Sequence, residues 1–145
     1  MVEEEYQIVE ARAAGADAVT LPAALLSPEQ LRNLISITQR NRMTEVVLVR
    51  SAEEVLAALP YQPRVFALSN RDPHDFSINL ETTLRLRELI PPDVVVISSG
   101  GIRTPQDLAY VVRAGIDAVM VGQALLTAPD TAQAIEELFK LTPAS

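Results

Sequence analysis

Short, nearly continuous apolar runs alternate along the chain with longer segments that have an amphipathic pattern. Runs of the first kind are typical of parallel strands covered on both faces, and segments of the second kind are typical of surface helices. The pattern predicts a helix from about Glu4 and then five strands, each followed by a helix. The predicted strands span residues 17–21, 45–49, 64–68, 93–98 and 117–121.

The predicted helices have clear start and stop signals. Ser27 and Ser51 each precede a glutamine or glutamate by three residues, which is the pattern of a capping box. Thr104 stands before a proline, a residue well tolerated at the first helical position. Gly15 and Gly115 follow helical stretches, where a left-handed residue commonly ends a helix. Repeated strand–helix units of this kind imply right-handed crossovers and a parallel sheet.

The composition indicates one globular domain over residues 1–145, because 48% of the residues are hydrophobic, 21% are charged and no shift marks a boundary. A net charge of −7 argues against nucleic acid, whose phosphates need clustered cations. The acidic start is unlike a signal peptide and no apolar run could cross a bilayer, so we expect a cytoplasmic protein. Met1 and the early helix predict a whole gene product.

Three residue types limit the chemistry. Cysteine is absent, which excludes disulfides, thiolate nucleophiles and thiolate metal sites. All basic residues but one are arginine, and the one lysine, Lys140, lies near the C-terminus. A mechanism that needs a buried lysine therefore has little to use. His74 is the single histidine and lacks partners at metal-ligand spacing, so we predict no metal and no cofactor.

A resemblance to the C-terminal part of the indole-3-glycerol phosphate synthase family is carried by four stretches: EARAAGADAVTL, LSPEQLRNLI, LETTLRLRELIPPDVVVIS and GIRTPQDLAYVVRAGIDAVMVG. Proteins of that family are (β/α)8 barrel enzymes of tryptophan biosynthesis. The resemblance covers nearly the whole chain and implies a partial TIM barrel, a (β/α)5 parallel sheet that corresponds to the last five strands of the (β/α)8 barrel. The open sheet could instead relax into a compact doubly wound form.

The resemblance also implies that catalytic groups are missing. The family's general-acid lysines and one glutamate lie on early strands that have no counterpart here. At two later positions where the family has glutamates, this chain has Leu48 and Ser99. Neither side chain can act as the acid or base that ring closure needs. We therefore expect that the chain is not an enzyme; if active, it would be a carbon–carbon lyase of the indole-3-glycerol phosphate synthase type.

Two glycine-bearing turns form a candidate phosphate site. In barrels of this kind, the turns after the last two strands and a helix N-terminus hold phosphate through backbone N–H groups. Each turn here comes directly after a predicted strand. Glycines at strand ends also persist for turn geometry alone, so an inherited scaffold is the alternative. The candidate phosphate-binding residues are Ser99, Gly100, Gly101, Gly122 and Gln123.

The end of the third predicted strand supplies further candidates at the mouth of the sheet: Ser69, Asn70 and Arg71. By resemblance, Ser69 replaces a family asparagine, whereas Asn70 and Arg71 match the family pattern. Arg71 could face a bound anion, or it could pair with the neighbouring Asp72 at the surface.

Five strands of a barrel leave two open edges and one uncovered face, and such surfaces invite association. We therefore expect a homodimer, or a partner that covers the open sheet, and no nucleic acid or membrane partner. The resulting prediction is a catalytically silent half-barrel that acts as a self-associating interaction or regulatory module. One alternative is a binder or sensor of a phosphorylated metabolite at the glycine turns. Another is an enzyme whose missing strands come from a partner.

Overall fold

The computed structural model describes residues 1–140, in which five parallel strands form one sheet. The observed strands agree with the predicted ones to within two residues at each end. The strands are β1 (Ala18–Pro22), β2 (Thr44–Val49), β3 (Val65–Ser69), β4 (Val95–Ser99) and β5 (Ala118–Met120).

The sheet order is β1-β2-β3-β4-β5, so each strand pairs only with its neighbours in sequence. A doubly wound sheet would reverse its direction part-way through this order, and that alternative is therefore wrong. Consecutive parallel strands joined by helices are the arrangement of a (β/α)8 barrel. The predicted (β/α)5 partial barrel is confirmed.

Helices join the strands and pack on one face of the sheet. A single helix was predicted after the last strand, but two are found, because Pro129 interrupts the chain and Asp130 then caps a new helix by accepting from the Gln133 N–H at 3.0 Å. The α-helices of the described residues are α1 (Glu5–Ala13), α2 (Pro28–Arg40), α3 (Ala52–Ala58), α4 (Glu81–Arg87), α5 (Pro105–Val112), α6 (Gln123–Leu126) and α7 (Thr131–Leu138).

The predicted helix caps are present. The hydroxyls of Ser27, Ser51 and Thr104 accept hydrogen bonds from backbone N–H groups three residues later, at 3.2, 3.3 and 3.1 Å. The reciprocal bond of a capping box is found at Ser27 and Thr104. At Ser51 it is shifted by one residue, since the carboxylate of Glu54 accepts from the N–H of Arg50 at 2.8 Å. The two glycines predicted to end helices have φ values of 91° and 71°.

The main hydrophobic core lies between the helices and the sheet. Phe66 and Leu68 of β3, Val47 of β2 and Val96 of β4 point to this side and are fully buried there. Ile8 of α1 is buried in the same core. Within residues 1–140, no helix combines the length and apolar character that crossing a bilayer requires.

One carboxylate is buried at the amino end of the sheet. Glu45 of β2 accepts hydrogen bonds from the Arg64 guanidinium at 3.1 Å, the Arg64 backbone N–H at 2.9 Å and the Gln39 amide at 3.0 Å. Burial raises the pKa of Glu45, but these hydrogen bonds outweigh it, so the pKa lies below its ordinary value of 4.5. This cluster joins β2 to the entry of β3, at the end opposite the glycine turns.

Candidate functional site

The two glycine turns lie side by side at the carboxyl ends of β4 and β5. Together they line a cavity of about 210 Å³, which has the usual position of a ligand site in a parallel sheet. The five predicted phosphate-binding residues all line this one cavity: Ser99, Gly100, Gly101, Gly122 and Gln123. Their predicted role in binding phosphate stays a prediction.

Two arginines meet in the cavity. Arg71, after β3, and Arg103, before α5, each donate a hydrogen bond from Nη2 to Oε1 of Gln123, at 3.3 and 3.2 Å. Within residues 1–140, neither guanidinium lies within 4.0 Å of a carboxylate. Arg71 therefore does not pair with Asp72. An anionic oxygen in the place of the neutral Oε1 of Gln123 would bind both guanidinium groups more strongly, because a hydrogen bond between two charged groups is stronger than one to a neutral acceptor.

The loop after β3 fixes the turn after β4. Gly100 and Gly101 have φ values of 87° and 78°, which favour glycine. A Cβ at Gly101 would overlap Cγ2 of Ile78, whereas a Cβ at Gly100 would lie 3.6 Å from the nearest atom, the backbone nitrogen of Arg71. Ile78 is held there by an antiparallel bridge to Arg71. The glycine turn and the arginine are thus positioned by the same loop.

A buried polar network lies directly beneath the cavity. Asn70 is 2% exposed, and its amide nitrogen donates to Oγ of Ser98 and to the carbonyl of Gly100, both at 3.1 Å. The Thr83 hydroxyl donates to Oδ1 of Asn70 at 2.7 Å and lies 2.7 Å from Oγ of Ser98. Asn70, a predicted mouth residue, is therefore placed under the mouth, where its side chain holds the Gly100 turn.

Replacing Thr83 with valine should lower the free energy of unfolding by about 1–3 kcal/mol, since it leaves buried polar atoms of Asn70 and Ser98 with fewer partners. Thr82→Val is the matched control, because Thr82 is also buried but its hydroxyl makes no hydrogen bond to the described residues. Urea unfolding of both variants measures the difference. Equal losses would show that the network does not stabilise this end of the sheet.

The other sequence candidates at the mouth carry no titratable side chain. Ser69 and Ser99 lie in register at the ends of β3 and β4. The Ser69 hydroxyl accepts from the N–H of Arg71 at 3.4 Å and so closes a local turn. Leu48 of β2 is in register with Ala67, which comes two residues before Ser69 along β3. These strand ends can shape and position a ligand, but Leu48 and Ser99 cannot exchange protons with it near neutral pH.

A second polar cavity of about 260 Å³ lies beside the first, between the loop after β2 and helix α4. Arg50 and Arg85 line it together with Asp72, and no guanidinium–carboxylate pair joins them. In the adjoining loop, hydrogen bonds from the side chain and backbone of Ser77 lower the pKa of Asp75. Within residues 1–140, no three His, Cys, Asp or Glu side chains are grouped closely enough to hold a metal ion.

A larger cavity lies at the opposite end of the sheet. It measures about 790 Å³ and is lined mainly by apolar residues and prolines at the entries of β3 and β4. Its charged lining residues are Arg64, whose guanidinium binds Glu45, and Asp93. Because two arginines without a carboxylate partner in the described part of the chain and both glycine turns line the smaller cavity at the carboxyl end, it is the better functional candidate.

Sequence reasoning did not identify three contributors to the site: the guanidinium of Arg103, the side-chain oxygen of Gln123 and the apolar wall formed by Ile78. A signal existed for Arg103, since a cation directly after a glycine turn and before a helix cap stands next to any anion held by that turn. Nothing in the sequence indicated Ile78, because its approach to Gly101 depends on how the loop after β3 folds.

Five consecutive strand–helix units with a glycine-lined cavity at their carboxyl ends define this protein as part of a (β/α)8 barrel. The crystal structure of a 3-hexulose-6-phosphate synthase has this fold, with a TM-score of 0.74 and 20% identity over 95% of this chain and 68% of that one. The model of the indole-3-glycerol phosphate synthase family matches residues 1–138, and the chain belongs to that family.

The similarity to individual family members is close but covers only part of them. The chain is 42% identical over 137 residues to the indole-3-glycerol phosphate synthase of Dehalococcoides mccartyi, and 44% identical over 137 residues to that of Roseiflexus castenholzii. These matches cover 94% and 93% of this chain but 53% and 51% of the relatives. The chain thus spans about half the length of the curated relatives it matches.

The prediction that the chain is not an enzyme is wrong. It rested on Leu48, Ser99 and the missing early strands, but relatives named as the synthase are 42% and 44% identical over nearly all of this chain. Residues in one half of a barrel do not decide the chemistry, because barrel active sites are built from the ends of several different strands. Membership of a family of tryptophan-biosynthesis lyases therefore outweighs Leu48 and Ser99 as evidence on whether the chain belongs to an enzyme.

Proposed function

We propose that the chain binds the phosphate group of a phosphorylated metabolite in the glycine-lined cavity, as the phosphate-binding part of a lyase of the indole-3-glycerol phosphate synthase type. The observation that carries the proposal is the convergence of Arg71 and Arg103 on Oε1 of Gln123, between two glycine turns. Family membership supports the reaction class, since the relatives are named for a phosphorylated compound.

Phosphate would bind by taking the place of the Gln123 amide oxygen. Both guanidinium groups already point to one acceptor, so the cations need not move far to meet an anion. Gln123 is exposed and its side chain can swing outward. The glycine turns contribute backbone N–H groups at close range because no Cβ blocks the approach. The exchange replaces a neutral acceptor with a charged one, which strengthens each hydrogen bond.

The lyase reaction divides between this chain and the rest of a barrel. Within this chain, the ends of β2 and β4 offer Leu48 and Ser99, so the proton-transfer groups would come from outside these strands. The role of this chain would be to hold the phosphate end of the substrate in a fixed position. Positioning of this kind lowers the barrier for the groups that act on the other end of the substrate.

Replacing Arg103 with alanine should weaken the binding of inorganic phosphate and of ribose 5-phosphate by about 10- to 100-fold, because a hydrogen bond to a charged group contributes about 1.5–3 kcal/mol. Isothermal titration calorimetry at low salt measures the affinities. Arg113→Ala is the matched control, since it removes the same charge from a surface position outside the cavity.

Two results would contradict the proposal. If the unaltered chain shows no heat of binding at millimolar phosphate, the two glycine turns serve only the geometry of the fold and do not bind phosphate. If Arg113→Ala weakens binding as much as Arg103→Ala, the attraction is a property of the whole surface and not of this cavity.

A further inference from the structure

The second polar cavity, of about 260 Å³, contains charged side chains that the proposed phosphate site does not use. It lies at the carboxyl ends of β2 and β3, on the side of the sheet where ligands of such folds bind, and helix α4 forms one of its walls. Arg50 directly follows β2, and Asp72 lies in the loop after β3. Arg85 comes three residues after Thr82 on α4, so both side chains lie on one face of this helix and reach the same cavity.

Two arginines at this cavity have no carboxylate partner. Within residues 1–140, the guanidinium groups of Arg50 and Arg85 both lie more than 4.0 Å from every carboxylate. Glu54 is close to Arg50 in the fold, but its carboxylate accepts the backbone N–H of Arg50 at 2.8 Å and not the side chain. Two such groups at one cavity suit a carboxylate ligand, because the N–H donors of a guanidinium match the two oxygens of a carboxylate.

A free hydroxyl also opens onto the cavity. Thr82 is 8% exposed and lines the cavity, and its hydroxyl makes no hydrogen bond to the described residues. Every fully buried side-chain nitrogen or oxygen of residues 1–140 has a hydrogen-bond partner. The hydroxyl of Thr82 is therefore not sealed in the core and faces the space that Thr82 lines. There it can donate a hydrogen bond to a ligand and accept one.

Asp72 gives the same cavity one negative charge. Its Oδ1 accepts the N–H of His74 at 2.7 Å, which holds the carboxylate in a fixed turn of the loop. This carboxylate would repel a second negative charge on a ligand and attract an ammonium group. The cavity has the volume of roughly nine molecules of liquid water, at about 30 Å³ each, so the ligand that fits is a small one.

We propose that the second polar cavity binds a small polar α-amino acid, whose carboxylate contacts Arg50 and Arg85 and whose ammonium group contacts Asp72. One carbon atom of an α-amino acid carries both charged groups, so a cavity lined by charges of both signs can hold the two together. The hydroxyl of Thr82 is available to a polar side chain of the ligand. This site is separate from the glycine-lined cavity, although Arg71 lines both, and the proposal does not rest on phosphate binding.

Serine is the probe for this cavity, and inorganic phosphate is the comparison. In nitrogen–proton correlation NMR spectra of the chain, serine should shift the backbone amide signals of Arg50, Asp72 and Thr82. The signals of Gly100 and Gly122 should stay in place. No shift at tens of millimolar serine would overturn the proposal, and so would shifts that fall on the glycine turns. Phosphate titration monitored at Gly100 and Gly122 tests the proposed function separately, so either proposal can fail alone.

Two variants assign the charged groups. Arg85→Ala should weaken serine binding about tenfold or more, because it removes a charged hydrogen-bond donor. Arg113→Ala, an exposed position outside both cavities, is the control and should bind serine normally. Asp72→Asn keeps an oxygen that can accept from His74 but removes the charge, so it should weaken the binding of serine and not that of glycolate, which has no ammonium group. Unchanged serine binding in Arg85→Ala or in Asp72→Asn would refute the proposal, and circular dichroism shows whether each variant is folded.

Discussion

Glu45→Ala should lower the free energy of unfolding by about 2–4 kcal/mol, which is one of the two largest effects expected of any single substitution here. Removing one member of a buried ion pair costs about 3–5 kcal/mol when the other charge is left buried. The expected loss is somewhat smaller, because the side chain of Arg64 is 54% exposed and water can solvate it. The backbone N–H of Arg64 and the amide of Gln39 would also lose their acceptor. Urea unfolding at pH 7 measures the change.

The same carboxylate should make stability depend on pH. Because the pKa of Glu45 is lower in the folded chain than its ordinary value of 4.5, its ionised form stabilises the fold above that pH. The contribution is lost as the pH falls from about 4.5 through the folded pKa. Glu45→Gln should lack this part of the acid dependence, and Glu136→Ala, at an exposed position, should retain it. An unchanged pH profile in Glu45→Gln would show that the cluster does not titrate as described.

Gly101→Ala should abolish measurable phosphate binding and lower the free energy of unfolding by about 2–4 kcal/mol. The added Cβ would overlap Ile78, a β-branched side chain with little freedom to move. The positive φ adds a cost of about 1–2 kcal/mol for any residue with a Cβ. Since Ile78 is bridged to Arg71, displacing it would also move the guanidinium away from Gln123. Calorimetric titration with phosphate and urea unfolding measure both effects.

Gly115→Ala separates the clash from the backbone strain. Gly115 has a φ of 71°, similar to that of Gly101, but a Cβ there would meet nothing within 4 Å. This control should lose only about 1–2 kcal/mol and bind phosphate normally. If Gly101→Ala behaves in the same way, Ile78 yields without disturbing the cavity, and the loop after β3 does not set the geometry of the turn.

The architecture could be predicted from the sequence because it depends on local signals. Apolar runs fixed the five strands to within two residues at each end, and serine, threonine and proline marked three helix starts. Pro129 and Asp130 carry the corresponding signal for a second helix after the last strand, where the strand–helix pattern predicts only one. Sequential strand order followed from the repeated strand–helix pattern and the family resemblance together.

The site was predicted only in part, because its side chains come together from distant segments. The five turn residues could be placed in one cavity, since the ends of adjacent parallel strands meet. The direction in which the Asn70 side chain points could not be predicted. It depends on the hydroxyls of Ser98 in β4 and Thr83 in α4, which come close to Asn70 only in the folded chain. The buried ion pair of Glu45 could not be predicted either, because its partner Arg64 lies 19 residues away.

The hydrogen bond between Arg71 and Gln123 joins residues 52 positions apart. A ribosome adding about 5–20 residues per second needs roughly 3–10 s to cover that interval. During synthesis the early strands can pair one after another, while the glycine-lined cavity stays unfinished until the three-residue strand β5 has emerged. Until then Arg71 and Arg103 lack their shared acceptor, so the geometry of the cavity is completed only after the four longer strands have been made.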